Sequence, residues 1–127
     1  MVLADTSVWI DHLYEEIPLL RNMLNEDEVY IHPFVIGELA CGNVRNRAET
    51  FRLLGELPVA AIATDKEVFD LIETQMLYGR GITWGDAHII ASAFISGCPL
   101  WTRDKRLLVL AQSIGIAQSP NENPRST

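Results

Sequence analysis

The sequence has few cysteines and no long apolar run, and each shortage excludes a class of protein. Its two cysteines, Cys41 and Cys98, show neither metal-ligand nor redox spacing, which predicts reduced, buried thiols and not a disulfide framework. No apolar run reaches the roughly 18 residues that a membrane-spanning helix needs. The N-terminus also lacks a basic segment followed by a long apolar stretch, which argues against a secretory signal peptide. A cytoplasmic location is therefore expected.

Basic residues are in short supply as well, because 17 Asp and Glu outnumber 10 Lys and Arg and give a formal net charge of −7. This balance argues against broad, sequence-independent binding of long duplexes, since nucleic-acid binders are usually basic. It leaves a nuclease open if the acids concentrate in a pocket. Two small basic groups are suited to binding phosphates: Arg45, Arg47 and Arg52 form one, and Arg103, Lys105 and Arg106 form the other. For each residue taken alone, a place on a solvated helix face is the simpler explanation.

The chain length of 127 residues and the hydrophobic content of 48% predict one domain with a substantial core. Short apolar runs suited to strands occur at residues 2–4, 29–31, 59–62, 100–102 and 116–117. Helical patterns and caps fall at residues 7–13, 18–24, 33–40, 47–57, 64–78, 86–96 and 104–113. This alternation predicts an α/β fold with a parallel sheet flanked by helices. The domain is predicted to span residues 1–117, followed by a flexible polar tail at residues 118–127.

What the sequence does contain is four acidic residues next to apolar elements. Asp5 closes the first predicted strand, and Asp104 follows a late one. Asp86 opens an apolar helix, where the helix dipole stabilises an anion, and Glu38 interrupts an apolar segment. Ligands of parallel sheets bind beyond the carboxyl ends of the strands. Three of the four acids, Asp5, Asp86 and Asp104, are therefore expected at one edge of the sheet.

Four clustered carboxylates would require a cation. Two unit charges about 5 Å apart repel by roughly 3 kcal/mol at an effective dielectric constant of about 20. Several such pairs would offset much of the roughly 5–15 kcal/mol that stabilises a domain, unless the acids protonate or bind metal. Mg²⁺ and Mn²⁺ favour such oxygen ligands, whereas zinc is not indicated because His12, His32 and His88 are scattered. One or two such ions would bind a phosphodiester, activate a water and stabilise the leaving oxygen.

Each acid also has a purely structural interpretation. Asp5 and Asp104 are both suited to capping the helix that follows. Asp86 fits a first-turn position, which acidic residues commonly occupy. Glu38 is hardest to explain in this way because its neighbours are apolar, although a salt bridge would satisfy it. Asp11 is interpreted as a solvated helix residue.

The segments that carry these acids resemble those of PIN-domain ribonucleases, most closely the VapC-type toxins of bacterial toxin–antitoxin systems. The matching segments are DTSVWID at residues 5–11, Glu38-Leu39, GDAHIIASA at residues 85–93 and WTRDKRL at residues 101–107. The order and spacing of these short motifs make the resemblance specific, and it extends from residue 2 to about residue 117.

The resemblance implies a three-layer α/β/α fold with a central parallel sheet and endonucleolytic, Mg²⁺- or Mn²⁺-dependent hydrolysis of RNA. By matching motifs, Asp5, Glu38, Asp86 and Asp104 would be the catalytic acids. Asp5 and Asp86 would bind the metal directly or through water. Glu38 and Asp104 would complete the metal cage and position or activate the water.

The resemblance also implies supporting residues and partners. Residues near the site that would support it are Thr6, Ser7 and Thr102. Candidates for binding RNA are Arg45, Arg47, Arg103 and Lys105. The three tryptophans are expected to pack in the core: Trp9, Trp84 and Trp101. The family implies a homodimer and a partner antitoxin whose tail places a basic side chain against the acids. Transfer, ribosomal and messenger RNA all stay open as substrates.

Three other functions fit parts of this pattern. A phosphatase with an aspartyl nucleophile would have a second acid two residues after Asp5, where this chain has Ser7. A receiver-type signalling domain would need paired acids near the first strand and a lysine at a late strand end, but Lys105 follows an acid. A PIN-like module that binds a partner without cleaving RNA also stays open, although the intact acids argue against it.

Overall fold

The structure is a computed structural model that describes residues 1–118. Within them, strands and helices follow in the order β1 (Val2–Ala4), α1 (Thr6–Tyr14), α2 (Pro18–Asn25), β2 (Val29–Tyr30), α3 (Pro33–Ala40), α4 (Arg47–Leu54), α5 (Asp65–Thr74), α6 (Trp84–Ser96), β3 (Leu100–Trp101) and α7 (Lys105–Ser113). Gln118, the first residue of the predicted tail, donates its backbone N–H to the Leu100 carbonyl at 2.9 Å. The rest of that predicted tail lies outside the described residues, so its flexibility stays a prediction.

The three strands form a parallel sheet in the order β2-β1-β3, with helices around it, as the sequence predicted. The central strand pairs through Leu3, which lies opposite Tyr30 on one side and Leu100 on the other. All three residues of β1 are buried, as expected for a parallel strand covered on both faces. The carboxyl ends of β1 and β3 therefore meet at one edge of the sheet, directly before Asp5 and Thr102.

Two predicted strands are reduced to single bridges in the structure. Residues 59–62 pair only through Val59, which bridges Ile31 in parallel. The chain leaves the sheet soon afterwards because the Ala61 backbone N–H bonds to the Ser96 hydroxyl at 2.9 Å. Residues 116–117 likewise contribute only the bridge from Leu100 to Ala117. The strand predicted at residues 59–62 is therefore not formed, and the short strand expected at residues 116–117 is present only as this bridge.

Helix ends also differ from the predicted ones, for identifiable reasons. The helix predicted to end at residue 57 stops at Leu54, with Gly55 as its C-cap. The helix predicted to reach residue 78 ends at Thr74, because Met76 adopts a left-handed conformation with φ of 53°. The N–H of Leu77 then bonds to the Ile72 carbonyl at 2.9 Å, which is the closing bond of a Schellman motif.

Helix α6 is the element that ties the candidate site to the core. It buries seven consecutive residues, 87–93, and packs against α3 and α5. It begins at Trp84, two residues earlier than predicted, because Thr83 and Asp86 form a capping box. Asp86 is therefore held rigidly in the first turn of a buried helix. No helix within residues 1–118 is long and apolar enough to cross a membrane.

Candidate active site

Asp5 is a buried carboxylate at the carboxyl end of β1, and both of its oxygens accept hydrogen bonds. Oδ1 accepts from the Ser7 hydroxyl at 2.6 Å and from the backbone N–H groups of Ser7 and Val8 at 3.1 and 3.4 Å. Oδ2 accepts from the Thr102 hydroxyl at 2.7 Å. Burial raises the pKa of Asp5 to about 6, and the four hydrogen bonds only partly oppose this shift. The ionised form of Asp5 is therefore unfavourable in the folded protein, and a nearby cation would stabilise it.

Two hydroxyls join the ends of β1 and β3. The Thr102 hydroxyl donates to Asp5 and accepts the backbone N–H of Asp104 at 3.1 Å. The Ser7 hydroxyl donates to Asp5 and accepts the backbone N–H of Arg103 at 2.9 Å. Asp5 is thereby fixed to the segment that carries Asp104, although 99 residues of chain separate the two.

Asp104 and Asp86 each use one carboxylate oxygen to start a helix. Asp104 is the N-cap of α7, and its Oδ1 accepts the N–H groups of Arg106 and Leu107 at 3.0 and 3.3 Å. Oδ2 of Asp86 accepts the Thr83 N–H at 3.0 Å. Among residues 1–118, the second oxygen of each acid has no protein donor. Both acids face one pocket of about 180 Å³.

Glu38 lies on the exposed side of α3, next to the first turn of α6. Its apolar chain neighbours Val35 and Leu39 face the core while Glu38 faces outward, which explains how the helix accommodates an acid at this position. Its Oε1 lies 3.7 Å from the position that a Cβ would take at Gly85. Partial burial and the negative charge of Asp86 both raise the pKa of Glu38. This effect of Asp86 on Glu38 indicates that the two carboxylates are close.

Thr6 connects this second pair of acids to the first. Its hydroxyl oxygen is buried and has no well-formed hydrogen bond within residues 1–118, yet it lies near enough to Glu38 to lower the pKa of that carboxyl slightly. Contacts therefore link Asp104 to Asp5 through Thr102, and link Glu38 to both Thr6 and Asp86.

The helix-capping and first-turn roles predicted for three of the acids are confirmed. Asp5 and Asp104 do cap α1 and α7, and Asp86 does occupy the first turn of α6. Three helix N-termini, with their partial positive charge, consequently point at the same edge of the sheet. Asp5 is 4% exposed with both oxygens engaged, which suits a metal ligand or anchor better than the accessible phosphoryl acceptor of a receiver domain.

The donor chemistry of this edge fits a hard divalent cation. It offers carboxylate and hydroxyl oxygens, and one of its acids is buried with a raised pKa. No group of three or more His, Cys, Asp or Glu side chains within residues 1–118 is arranged to hold a metal ion directly. Mg²⁺ usually takes only one or two carboxylates and keeps several waters, so a complete protein cage is not required.

The candidate RNA-binding residues lie in different surroundings. Arg47 donates to the Ala40 and Gly42 carbonyls at 2.6 and 3.1 Å, and so secures the end of α3. Arg103 is half-buried and donates to Asp11 at 3.3 Å, so the interpretation of Asp11 as a solvated residue was wrong. Three candidates are exposed: Arg47, Lys105 and Arg45, the last of which lines a groove with Glu38.

Several residues of this region were missed or misjudged from the sequence. Trp84 is 46% exposed, whereas Trp9 and Trp101 are buried as expected. Thr83 caps α6, and a Thr three residues before Asp86 was a signal that was available. The exposure of Cys41 also contradicts the prediction of two buried thiols.

Two histidines that looked scattered in the sequence lie close together. His32 and His88 are both buried, and the ring of Phe34 contacts both, with centroid distances of 5.5 and 4.5 Å. Burial, with a smaller contribution from His88, lowers the pKa of His32 to about 4. His32 is therefore neutral at physiological pH and acts as the cap of α3, where its Nδ1 accepts the Phe34 N–H at 3.0 Å.

Comparisons with known proteins agree with this geometry. A family model described as PIN domain matches residues 2–112. Ribonuclease VapC32 of Mycobacterium tuberculosis, in strains CDC 1551 / Oshkosh and H37Rv, is 42% identical over 118 residues, which are 92% of this chain and 95% of that protein. The crystal structure of PAE2754 from Pyrobaculum aerophilum matches with a TM-score of 0.60 at 21% sequence identity. The match covers 88% of this chain and 86% of that chain, and it supports the fold alone. The resemblance predicted from the motifs is thus confirmed. The chain belongs to the PIN-domain family and, within it, to the group of VapC ribonucleases.

Proposed function

We propose that this protein is a divalent-metal-dependent endoribonuclease and the toxin of a VapC-type toxin–antitoxin pair. RNA phosphodiester bonds are hydrolysed at the acidic edge formed by Asp5, Glu38, Asp86 and Asp104. The observation that carries the proposal is a series of pairwise links between the acids in a PIN-domain chain that is 42% identical to a ribonuclease. Thr102 joins Asp5 to Asp104, Asp104 lines one pocket with Asp86, and the charge of Asp86 acts on Glu38.

Asp5, Asp86 and Asp104 are the residues that would hold Mg²⁺ or Mn²⁺. Support comes from the carboxylate oxygens of Asp86 and Asp104 that have no donor among residues 1–118, and from the buried Asp5, whose raised pKa a cation would reverse. Such an ion supplies charge neutralisation for a phosphodiester, a more acidic water and stabilisation of the leaving oxygen. The protein contributes the fixed positions of its oxygens.

The remaining residues of the site orient groups and move a proton. Glu38 is proposed to accept the proton of the attacking water, because its raised pKa brings it closer to the ambient pH than an ordinary carboxylate. Ser7 and Thr102 hold Asp5 through short hydrogen bonds of 2.6 and 2.7 Å. Thr6 is placed to hold Glu38 or a water beside it.

The proposed partners follow from the same family. RNA is the substrate, with Arg45 and Lys105 as exposed phosphate contacts, while Arg47 and Arg103 act mainly by holding α3 and Asp11. An antitoxin would inhibit by placing a basic side chain against the acids, whose mutual repulsion would favour it. A homodimer and a cytoplasmic location complete the proposal.

The test is cleavage of total cellular RNA by purified, antitoxin-free protein in Mg²⁺, in Mn²⁺ or in EDTA. Asp5→Asn keeps an acceptor for the N–H groups of α1 but removes the charge, so it should be folded and inactive. The matched control is Asp70→Asn, which removes an exposed charge of α5 whose one ion pair within residues 1–118 is with Lys66. Metal-dependent cleavage by wild type and Asp70→Asn alone is expected. Cleavage retained by Asp5→Asn would refute the proposed site, and no cleavage by folded wild type in either metal would refute the nuclease.

A further inference from the structure

Two exposed aromatic rings are held around one buried histidine at the start of α6. The His88 ring is 4.5 Å from the ring centroid of Phe34 and 4.8 Å from that of Trp84. Phe34 is 36% and Trp84 is 46% exposed, whereas His88 is 4% exposed. The two rings therefore rest on a rigid support while part of each faces solvent.

These rings are linked to the acids through the helices that carry them. Phe34 is one turn before Glu38 on α3, and side chains at this spacing are neighbours on a helix surface. Trp84 is two residues before Asp86 in the first turn of α6. A groove of about 450 Å³ is lined by both Phe34 and Glu38, and also by Thr83. An RNA whose phosphate lies at the acids would bring an adjacent base into this groove.

A contact of this kind would supply affinity for RNA that the net charge of the protein does not. With a net charge of −7 and an acidic site, phosphates are attracted weakly outside the metal. Arg106, which lines the pocket with Asp86 and Asp104, donates to the Gly81 carbonyl at 2.8 Å, and Arg103 donates to Asp11. Stacking of bases on aromatic rings is independent of net charge and tolerates any base, since each has a π-face.

We propose that Phe34 and Trp84, supported by His88, form a stacking platform for an unpaired nucleobase next to the cleaved phosphate. The proposal rests on the ribonuclease function proposed above and adds to it a base-binding subsite at the start of α6. Bases within an A-form duplex are stacked on one another and are not free to occupy such a platform. The protein should therefore cut single-stranded segments or loops, and discriminate against the same sequence when it is paired.

Trp84 provides a direct readout of this platform. It is the single exposed tryptophan of three, because Trp9 and Trp101 are each 2% exposed. A short RNA oligonucleotide that spans a cleavage site mapped on cellular RNA is titrated in Ca²⁺, which takes the same oxygen ligands as Mg²⁺. Quenching of tryptophan fluorescence is expected, together with its loss in Trp84→Phe and its weakening when the adjacent nucleotide is abasic.

Phe34 variants separate stacking from folding. Phe34→Leu should raise Kd and KM for the oligonucleotide by roughly 5- to 150-fold, the range expected for one base–aromatic stack, with little change in kcat. Phe34→Tyr keeps a ring and should restore binding. Equal unfolding midpoints for the two variants would show that the Leu effect is not a folding defect.

Cys41 gives an independent readout because it is exposed and lines the same groove, while Cys98 is buried. Bound oligonucleotide should slow the alkylation of Cys41. The platform proposal would be refuted by any of three results. Phe34→Leu could bind with unchanged affinity, or abasic RNA could bind as tightly as intact RNA. The third is that the antitoxin, but not RNA, protects Cys41 and Trp84. If no cellular RNA is cut, the ribonuclease proposal fails, and the same titration with homopolymeric RNA decides on stacking alone.

Discussion

Replacing Asp5 with Asn should stabilise the metal-free protein at neutral pH. Burial raises the pKa of Asp5 from 3.8 to about 6, a shift of about two units. Each unit corresponds to about 1.36 kcal/mol, so the ionised carboxylate destabilises the fold by roughly 3 kcal/mol above pH 6. Below pH 4 the group is protonated in both the folded and the unfolded chain, and the penalty disappears. The stability lost to Asp5 therefore develops between about pH 4 and pH 6 as the pH rises.

Asn does not recover all of this free energy. Its carbonyl oxygen keeps the acceptor for Ser7 and Val8, but its amide then faces the Thr102 hydroxyl, which donates to Asp5 in the wild type. The Thr102 hydroxyl must redirect its proton, and the Ser7 oxygen 3.3 Å away is the available acceptor. With about 1 kcal/mol allowed for this weaker hydrogen bond, the net gain is roughly 2 kcal/mol at pH 7.5.

Urea unfolding in EDTA at pH 4, 5, 6 and 7.5 measures this gain. Asp5→Asn should be more stable than the wild type at pH 7.5 and equal or slightly less stable at pH 4. Asp104→Asn is the control, because it removes a charge from an exposed helix cap while Asn caps equally well. A stability difference between Asp5→Asn and wild type that does not change with pH would refute the view that Asp5 is held as a buried, destabilising carboxylate.

Three further results are expected. Glu38→Gln should lower kcat for RNA cleavage by about 10²- to 10⁴-fold with an unchanged unfolding midpoint, and an unchanged kcat would exclude Glu38 as the proton acceptor. Thr102→Val removes the hydroxyl that bonds both Asp5 and Asp104, and should lower the free energy of unfolding by about 1–3 kcal/mol. Thr102→Ser keeps the hydroxyl and is the control; equal urea midpoints for the Val variant and the wild type would contradict the expected loss of stability. Mg²⁺ at about 100 times its Kd should stabilise the wild type by about 2.7 kcal/mol in thermal unfolding and have little effect on Asp5→Asn, so an equal shift in both would place the ion elsewhere.

Local signals in the sequence were enough to predict the frame of the site. The apolar runs at residues 2–4 and 100–102 predicted strands of one parallel sheet, and the structure pairs them directly. Helices were found wherever a cap or proline marked the start, as at Pro33 and Thr64. Such signals lie within a few residues of one another, so a sequence displays them completely.

Features that depend on distant residues were not visible in this way. Residues 59–62 have strand-forming side chains, but a hydroxyl 35 residues away takes the N–H of Ala61 and ends the pairing. Glu38 was hard to explain because its chain neighbours are apolar, although helical periodicity turns it away from the face that Val35 and Leu39 share. The exposure of Trp84 likewise follows from its place at the very start of α6, which residue type alone does not reveal.

Capping by Asp5 and Asp104 has an evolutionary consequence. Both acids start helices, so a change to an apolar residue loses roughly 1 kcal/mol per cap in addition to the proposed activity. Selection for folding therefore opposes such changes even after selection for catalysis has ended. Lineages that lose the activity are expected to drift toward Asn or Ser at these two positions. Pseudoenzymes descended from this chain should thus be recognisable by polar, uncharged caps where their active ancestor had carboxylates.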